Sequence, residues 1–507
     1  FWPGVALESV CCEAFDRTGP DVLQWVGNLR EVKAVSRVSR ALYLPFSVLL
    51  IVAALASLPV SSADDLTVVR LPIILHQHYW ESPFGTESNS PLTGTLLQRA
   101  GELGVTWARF NRLNWRKVQP TEGGSYDWSV LSSFEEELRA ARQAGITPIV
   151  LVQHSPTWAT INDPFETDCG AIRTDKFGAF AAFMQAAVLR YSQPEFNVHY
   201  WELFNEPDVD PTLVPPNSVF GCWGDIDDPY YGGQHYGEML KVVTPAIKAA
   251  DPGARVMFGG LLLAHPVPRP DEGHPELFLE GALSVGAAPY FDILAYHAYP
   301  SYVGGEFDYD LFNNPWQGWG GWTVGKARFL RQSMAKYGVD RPLFLNETAL
   351  GCHEAYYACN PPDQNFFEAQ ADYLVRTFSR ARSEGVTGFI WYTLDGPGWR
   401  NTGLLDGSYN PRPSYRAYQH LIARQNYSRF EARVDYGSDV EAYSFLLSQS
   451  RVHVLWSTDA APDLITVPQA QFLAAYDRDG APLTPTPVGS DYQFTVGFSP
   501  IYLELRR

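Results

Sequence analysis

From Val69 to His420 the chain alternates short, β-rich apolar runs with longer stretches whose apolar residues recur at helical spacing. Strands are expected over residues 71–76, 105–110, 147–153, 198–204, 255–259, 291–296, 342–346 and 388–393. Helices between them are expected over residues 129–144, 176–191, 236–250, 324–337 and 366–384. A glycine usually separates a helix from the next strand, as in Ala144-Gly145 and Glu384-Gly385, because it can take the left-handed turn that ends a helix. Eight strands alternating with helices imply a parallel sheet, and that number favours closure into a (β/α)8 barrel. A doubly wound open sheet competes, but it would show a glycine-rich phosphate turn after the first strand, and the sequence has none there.

Pro411-Arg412-Pro413-Ser414-Tyr415 opens a last helix, after which the pattern changes. From Phe430 the runs are short, alternating and separated by turns, over residues 442–447, 452–456, 472–476, 494–496 and 501–505. That is the pattern of a small all-β sandwich. The expected organisation is a leader over 1–63, an α/β barrel over 64–424 and a C-terminal β-sandwich over 425–507.

Residues 1–30 carry no periodic pattern and are taken as read-through sequence or an unreliable fragment. Arg30, Lys33, Arg37 and Arg40 then precede an apolar run over residues 41–60 and the small residues Ser61-Ser62-Ala63. Basic flank, apolar middle and small-residue exit describe a secretory signal cut after Ala63. The run approaches spanning length, so an uncleaved membrane anchor is the alternative. Either reading makes the protein secreted or otherwise extracytoplasmic.

Composition narrows the partners. A formal net charge of −18 argues against nucleic acid and anionic membranes, and suits a neutral ligand. Cys11 and Cys12 fall in the leader. Cys352 and Cys359 close a short loop, and Cys169 with Cys222 would tie two earlier loops; an exported chain favours disulfides here over a metal site. No cofactor or metal is expected. Trp316, Trp319 and Trp322, spaced through glycine-rich sequence, are either sugar platforms or a loop packed on itself.

The candidate chemistry gathers where strands end. Trp201-Glu202-Leu203-Phe204-Asn205-Glu206-Pro207 has the bulk of a buried strand, broken by a proline that has no N–H to donate. Leu343-Phe344-Leu345-Asn346-Glu347-Thr348 places a second carboxylate at a second strand tip. Two carboxylates on two strand tips are what acid/base-plus-nucleophile cleavage of a glycosidic bond requires. In a barrel the chemistry sits at the carboxyl ends of the strands. There the sequence collects His76 and His78, Arg109, His154 and Trp158, Asn205 and Glu206, His297 and Tyr299, Glu347, and Trp391. The match of Asn346-Glu347-Thr348 to a glycosylation sequon is read as accidental on a buried strand.

This ordered set resembles glycoside hydrolase clan A, with family 39 and family 5-like members closest in look. It rests on Asn205-Glu206-Pro207, Glu347, Arg109, His297-x-Tyr299, Trp391 and the stretch Trp115 to Trp128. Pro500-Ile501-Tyr502-Leu503 resembles the sandwich that follows such barrels. The resemblance implies a retaining β-glycosidase, with Glu206 as general acid then base and Glu347 as nucleophile. It also implies Asn205 on the sugar 2-hydroxyl, Arg109 and Tyr299 aiming Glu347, Trp391 flooring the subsite, and His297 lining it. His76, His154 and Trp158 are carried as further substrate-binding candidates. The alternative is a barrel that has kept a sugar groove but only binds, as a lectin or scaffold does.

Overall fold

Eight parallel strands close into a barrel in chain order, with β8 returning to pair with β1. They are β1 (Phe84–Glu87), β2 (Trp107–Asn114), β3 (Thr147–Gln153), β4 (Tyr200–Leu203), β5 (Arg255–Leu261), β6 (Ile293–Ala298), β7 (Leu343–Thr348) and β8 (Gly388–Tyr392). The computed structural model describes residues 82–161, 170–214, 220–221, 223–459 and 461–507. Seven strands fall where the hydrophobic pattern places them. The first does not: residues 71–76, His76 included, lie outside the described residues, and the first barrel strand is Phe84-Gly85-Thr86-Glu87. Four residues with a glycine and an acid give little strand signal. Yet Gly85 is needed, because a Cβ there would lie 2.7 Å from the Trp107 carbonyl oxygen.

Strand alternation then sets the site. Trp107, Ile149, Met257, Ala295, Phe344 and Ile390 point inward and form an apolar plug, with Tyr200 packed against it. Two residues further along their strands, the side chains that face the same way are Arg109, Glu202, His297 and Tyr392. The barrel therefore carries an apolar layer below and a polar layer above, at the carboxyl ends of the strands. Glu347 would break the alternation, since it lies three residues beyond Phe344. The register between β6 and β7 shifts at this point, so that Tyr296 pairs with Leu345 but His297 pairs with Glu347. That bulge turns Glu347 inward.

The helices cover the outside of the barrel. The longest, Gln364–Ser383, starts on Asp363, whose carboxylate accepts the Phe366 N–H at 3.1 Å. Beyond the final helix Pro413–Gln425 come two antiparallel sheets, with strand orders β13-β16-β11-β10-β9 and β12-β15-β14. Here β9 is Arg429–Arg433, β10 Val440–Leu446, β11 Ser450–Ser457, β12 Asp463–Pro468, β13 Phe472–Asp477, β14 Thr486–Val488, β15 Asp491–Val496 and β16 Ile501–Arg506. Val440, Leu455, Ile465, Val467, Phe494 and Leu503 are among the buried residues of their common core. Arg380 ties them to the barrel: it donates to Glu441 on β10 at 2.6 Å and to Asp308 after β6 at 2.6 Å. No helix among the described residues is long and apolar enough to cross a membrane; the run over residues 41–60 lies outside them.

Candidate active site

Arg109 is the hub of the polar layer. Its side chain is buried, and its guanidinium donates to Glu202 at 2.7 and 3.0 Å, to Glu87 at 2.7 Å, to Asn205 Oδ1 at 2.7 Å and to Glu347 Oε1. Burial disfavours the cation, but three carboxylates outweigh it and hold its pKa well above the usual arginine range. Burial also works against Glu202, yet the bidentate bond from Arg109 keeps that carboxyl below its ordinary value. For Glu87 burial wins and the pKa is raised, although Arg109 and the Asn111 amide (2.9 Å) both donate to it.

Glu347 receives donors on both oxygens. Arg109 bonds Oε1, the Tyr299 hydroxyl donates to Oε2 at 2.5 Å, and His297 Nδ1 stands 3.5 Å from the same oxygen. Glu206 is held differently. It follows β4 with a left-handed backbone, φ +45°, and its N–H is bonded to the Gly260 carbonyl on β5 at 3.0 Å. One of its oxygens lies 2.8 Å from His297 Nδ1. Burial lowers the His297 pKa to about 4, so the ring is neutral near pH 7. Among the described residues its Nε2 has no hydrogen-bond partner, which assigns the ring proton to Nδ1, donated to Glu206.

A carboxylate oxygen of Glu206, the His297 nitrogen and a carboxylate oxygen of Glu347 all lie within 4.8 Å of one another. Such a set could in geometry hold a cation, but Arg109, Tyr299 and His297 already donate to its carboxylates. Burial pushes both carboxyls up, to about 7 each, against the pull of nearby cations. Two like charges this close do not form independently, so the pair holds one proton around neutral pH. Glu347, with donors on both oxygens, takes the negative charge, and the proton stays on Glu206.

Asn205 meets Arg109 at the edge of the pair. His154 ends β3 with a left-handed backbone, φ +64°, and is partly buried. Trp158 packs edge-on against Trp115 and donates to the Gln119 carbonyl at 3.2 Å. Trp391 does not face the carboxyl pair: it is fully buried, packs against Tyr373 and Phe378 of the helix behind β8, and donates to the Thr402 carbonyl. The next residue in the alternation, Tyr392, faces inward instead and packs 6.0 Å from Tyr299. Trp316 and Trp319 pack on Phe329, as a self-packed loop does. Asn346 is fully buried, which leaves its sequon unavailable. The Cys352–Cys359 disulfide is formed, while Cys169 and Cys222 lie outside the described residues.

Glu87, Glu202 and Tyr392 were not singled out by sequence. Glu202 had a usable signal, an acid inside an otherwise apolar strand, which demands a buried partner. Lys326 is a further buried cation; its ammonium donates to the carbonyls of Leu262 and His297 at 2.5 and 2.8 Å, and burial brings its pKa down to about 7.

No family model and no curated protein matches this sequence. The fold itself is matched by solved glycoside hydrolases of families 39 and 30, the clan A barrel. A family 39 glycoside hydrolase from the gut symbiont Bacteroides cellulosilyticus superposes with a TM-score of 0.63 at 19% identity, over 84% of this chain and 81% of that one. A family 30 xylanase catalytic domain from Talaromyces cellulolyticus gives 0.58 at 11% identity, over 84% and 98% of the two chains. A monomeric β-xylosidase from Caulobacter crescentus gives 0.56 at 18% identity, over 84% and 97%. At these identities the likeness is one of fold.

Proposed function

We propose that this protein hydrolyses β-linked glycosides with retention of configuration, Glu347 acting as nucleophile and Glu206 as general acid and then base. The observation that carries the proposal is the approach of the two carboxyls within 4.8 Å in unequal settings. Retaining glycosidases place the pair about 5–5.5 Å apart, whereas inverting ones leave about 6.5–9.5 Å for a water. Arg109 and Tyr299 keep Glu347 ionised and aimed, and Glu206 keeps a proton for the leaving oxygen. Once Glu347 carries the sugar its charge is gone. Glu206 then ionises more readily and takes a proton from the incoming water. Asn205 is suited to the sugar 2-hydroxyl. β-Xylosides and β-glucosides are the first substrates to try, because similar structures include a β-xylosidase and xylanases. Export through residues 41–63 belongs to the same proposal and is supported by the disulfide.

The test is a series of aryl β-glycosides of graded leaving-group ability. Glu206→Ala should retain activity on the best leaving groups and lose about two to four orders of magnitude on the poorest, because protonation matters only for the latter. The wild-type kcat/KM should follow a bell. It falls on the acid side as Glu347 takes a proton, and on the basic side as Glu206 loses one, with the maximum near 7. The basic limb should vanish for good leaving groups in Glu206→Ala. A uniform loss across the series would remove Glu206 from the acid role, and a protein that only binds sugar would release no aryl alcohol at all.

Gly260 offers a probe that changes no charge. A Cβ there would lie 2.2 Å from His297 Nε2 and 2.8 Å from Asn346 Oδ1. Gly260→Ala should push the His297 ring off Glu206 and cost about a hundredfold in kcat, as sub-ångström misplacement of reacting groups does. An unchanged kcat would show that the ring is not needed in that place.

A further inference from the structure

Lys326 is a buried cation that the carboxyl chemistry leaves without a role. It stands on the helix Trp322–Lys336, which follows β6, and only 1% of it is exposed. Its ammonium bonds two carbonyls and, among the described residues, no carboxylate. The indoles of Trp322 and Trp316 lie 5.0 and 5.8 Å from it. A methionine would fill the same space with no charge to desolvate, so the ammonium calls for a function of its own.

Both carbonyls lead to Glu206. One belongs to His297, whose ring donates to Glu206. The other belongs to Leu262, two residues past Gly260, whose own carbonyl accepts the Glu206 N–H at 3.0 Å. Asp208, two residues beyond Glu206, closes the circuit, since its carboxylate accepts the N–H groups of Leu262 and Leu263 at 2.8 and 2.7 Å. Leu263 is left-handed, φ +46°, a conformation that such a residue keeps only where its surroundings impose it. Around Glu206 stand two cations, Arg109 and Lys326, three acids, Glu202, Asp208 and Glu347, the His297 ring, and the hydroxyls of Tyr299 and Tyr392. Asp310, which accepts the Thr323 N–H at 2.9 Å, also faces Lys326. The bonds of Arg109 go to Glu87, Glu202, Asn205 and Glu347. Burial raises the Glu206 carboxyl, and of the two cations that oppose it Lys326 pulls harder.

We propose that Lys326 is a positioning residue for the base form of Glu206. It fastens the two segments that hold Glu206, and its charge balances the Glu206 carboxylate in the second half of the reaction, when Glu347 carries the sugar. The pairing is reciprocal. Burial brings the Lys326 pKa down, and an ionised Glu206 raises it again, so the cation is firmest when that carboxylate forms. The inference rests on the double displacement proposed above, and it assigns a group to the second step alone.

The experiment is stopped-flow kinetics of Lys326→Gln and Lys326→Met on dinitrophenyl β-xyloside and β-glucoside, whose leaving group needs no proton. Formation of the glycosyl-protein, read as the burst of dinitrophenol, should stay within about threefold of wild type. Its hydrolysis, read as the steady rate after the burst, should fall about ten- to a hundredfold near neutral pH, the scale on which one unit charge acts across a protein interior. Without the cation Glu206 keeps its proton to higher pH, so the lost rate should return as pH rises, and the basic limb of kcat/KM on poor leaving groups should move up. Both steps falling together in Lys326→Gln, whose amide still donates to a carbonyl, would make Lys326 a structural prop and overturn the inference. An unchanged second step would overturn it as well. Should neither variant fold, Asp208→Asn probes the same charge from the other side. With that acid gone Lys326 acts undivided on Glu206, and the basic limb should move to lower pH; a limb that stays or rises overturns the inference. Wild-type protein that releases no aryl alcohol would sink the double displacement itself, whereas wild-type turnover with unaltered steps in the variants sinks only the role of Lys326.

Discussion

Glu347→Ala is expected to lower kcat on an aryl β-glycoside by about four to six orders of magnitude, the scale of losing a nucleophile elsewhere. Among the described residues around it, none is free to replace it. Tyr299 donates to Glu347, and burial and the neighbouring carboxylate hold its hydroxyl well above the usual tyrosine range. Glu202 and Glu87 are engaged by Arg109 in the layer around it. Alanine leaves a small cavity beside Arg109 and Tyr299, built to hold a carboxylate and so suited to a small anion. Azide should enter it, attack the anomeric carbon directly and restore release of the aryl alcohol, giving the α-glycosyl azide. In Glu206→Ala the same anion would instead intercept the sugar on Glu347 and give the β-product. Product configuration therefore separates the two carboxyls without reliance on rates. Undiminished turnover in Glu347→Ala, or a β-azide from Glu347→Ala and an α-azide from Glu206→Ala, would remove the double displacement.

The same contrast shows what the sequence could reveal. Periodicity located seven of the barrel strands because each has a run of β-branched or aromatic residues bounded by helix stops. β1 escaped it, being four residues long, and Glu87 was lost with it. The carboxyl pair was legible because Asn205-Glu206-Pro207 and Asn346-Glu347-Thr348 both end strands, and strand ends are where barrels do chemistry. Direction around the strand axis was not legible. Trp391 and Tyr392 differ by one position, and only the pairing of β8 with its neighbours says which faces the carboxyls. The inward turn of Glu347 likewise depends on a bulge, which no periodic pattern announces. The all-β tail shows the same limit: β9, β12 and β14 carry largely exposed residues and gave no apolar run to follow.

Arg109→Met should be the most destabilising single change at the site, costing about 3–5 kcal/mol, because it leaves Glu87, Glu202 and Glu347 buried without their common cation. The cost should depend on pH, and the sign follows from the carboxyl groups. In the wild type Arg109 holds Glu202 below its ordinary pKa, so this pairing stabilises the fold above that value and the stabilisation is lost as pH falls. In the variant burial is unopposed and the carboxyls rise. They bind protons more tightly folded than unfolded, so the variant recovers as pH falls and loses stability as pH rises through those raised values. Denaturant unfolding of both proteins from pH about 8 to about 5 should show the gap narrowing toward acid. Arg109→Lys should recover part of the stability, since the charge remains. It should not recover activity, because one ammonium cannot reach Glu202, Asn205 and Glu347 together as the planar fork does. A gap that is independent of pH would mean that Arg109 acts by packing alone. Glu347 would then owe its charge to Tyr299 and His297, and the division of labour between the two carboxyls would need another cause.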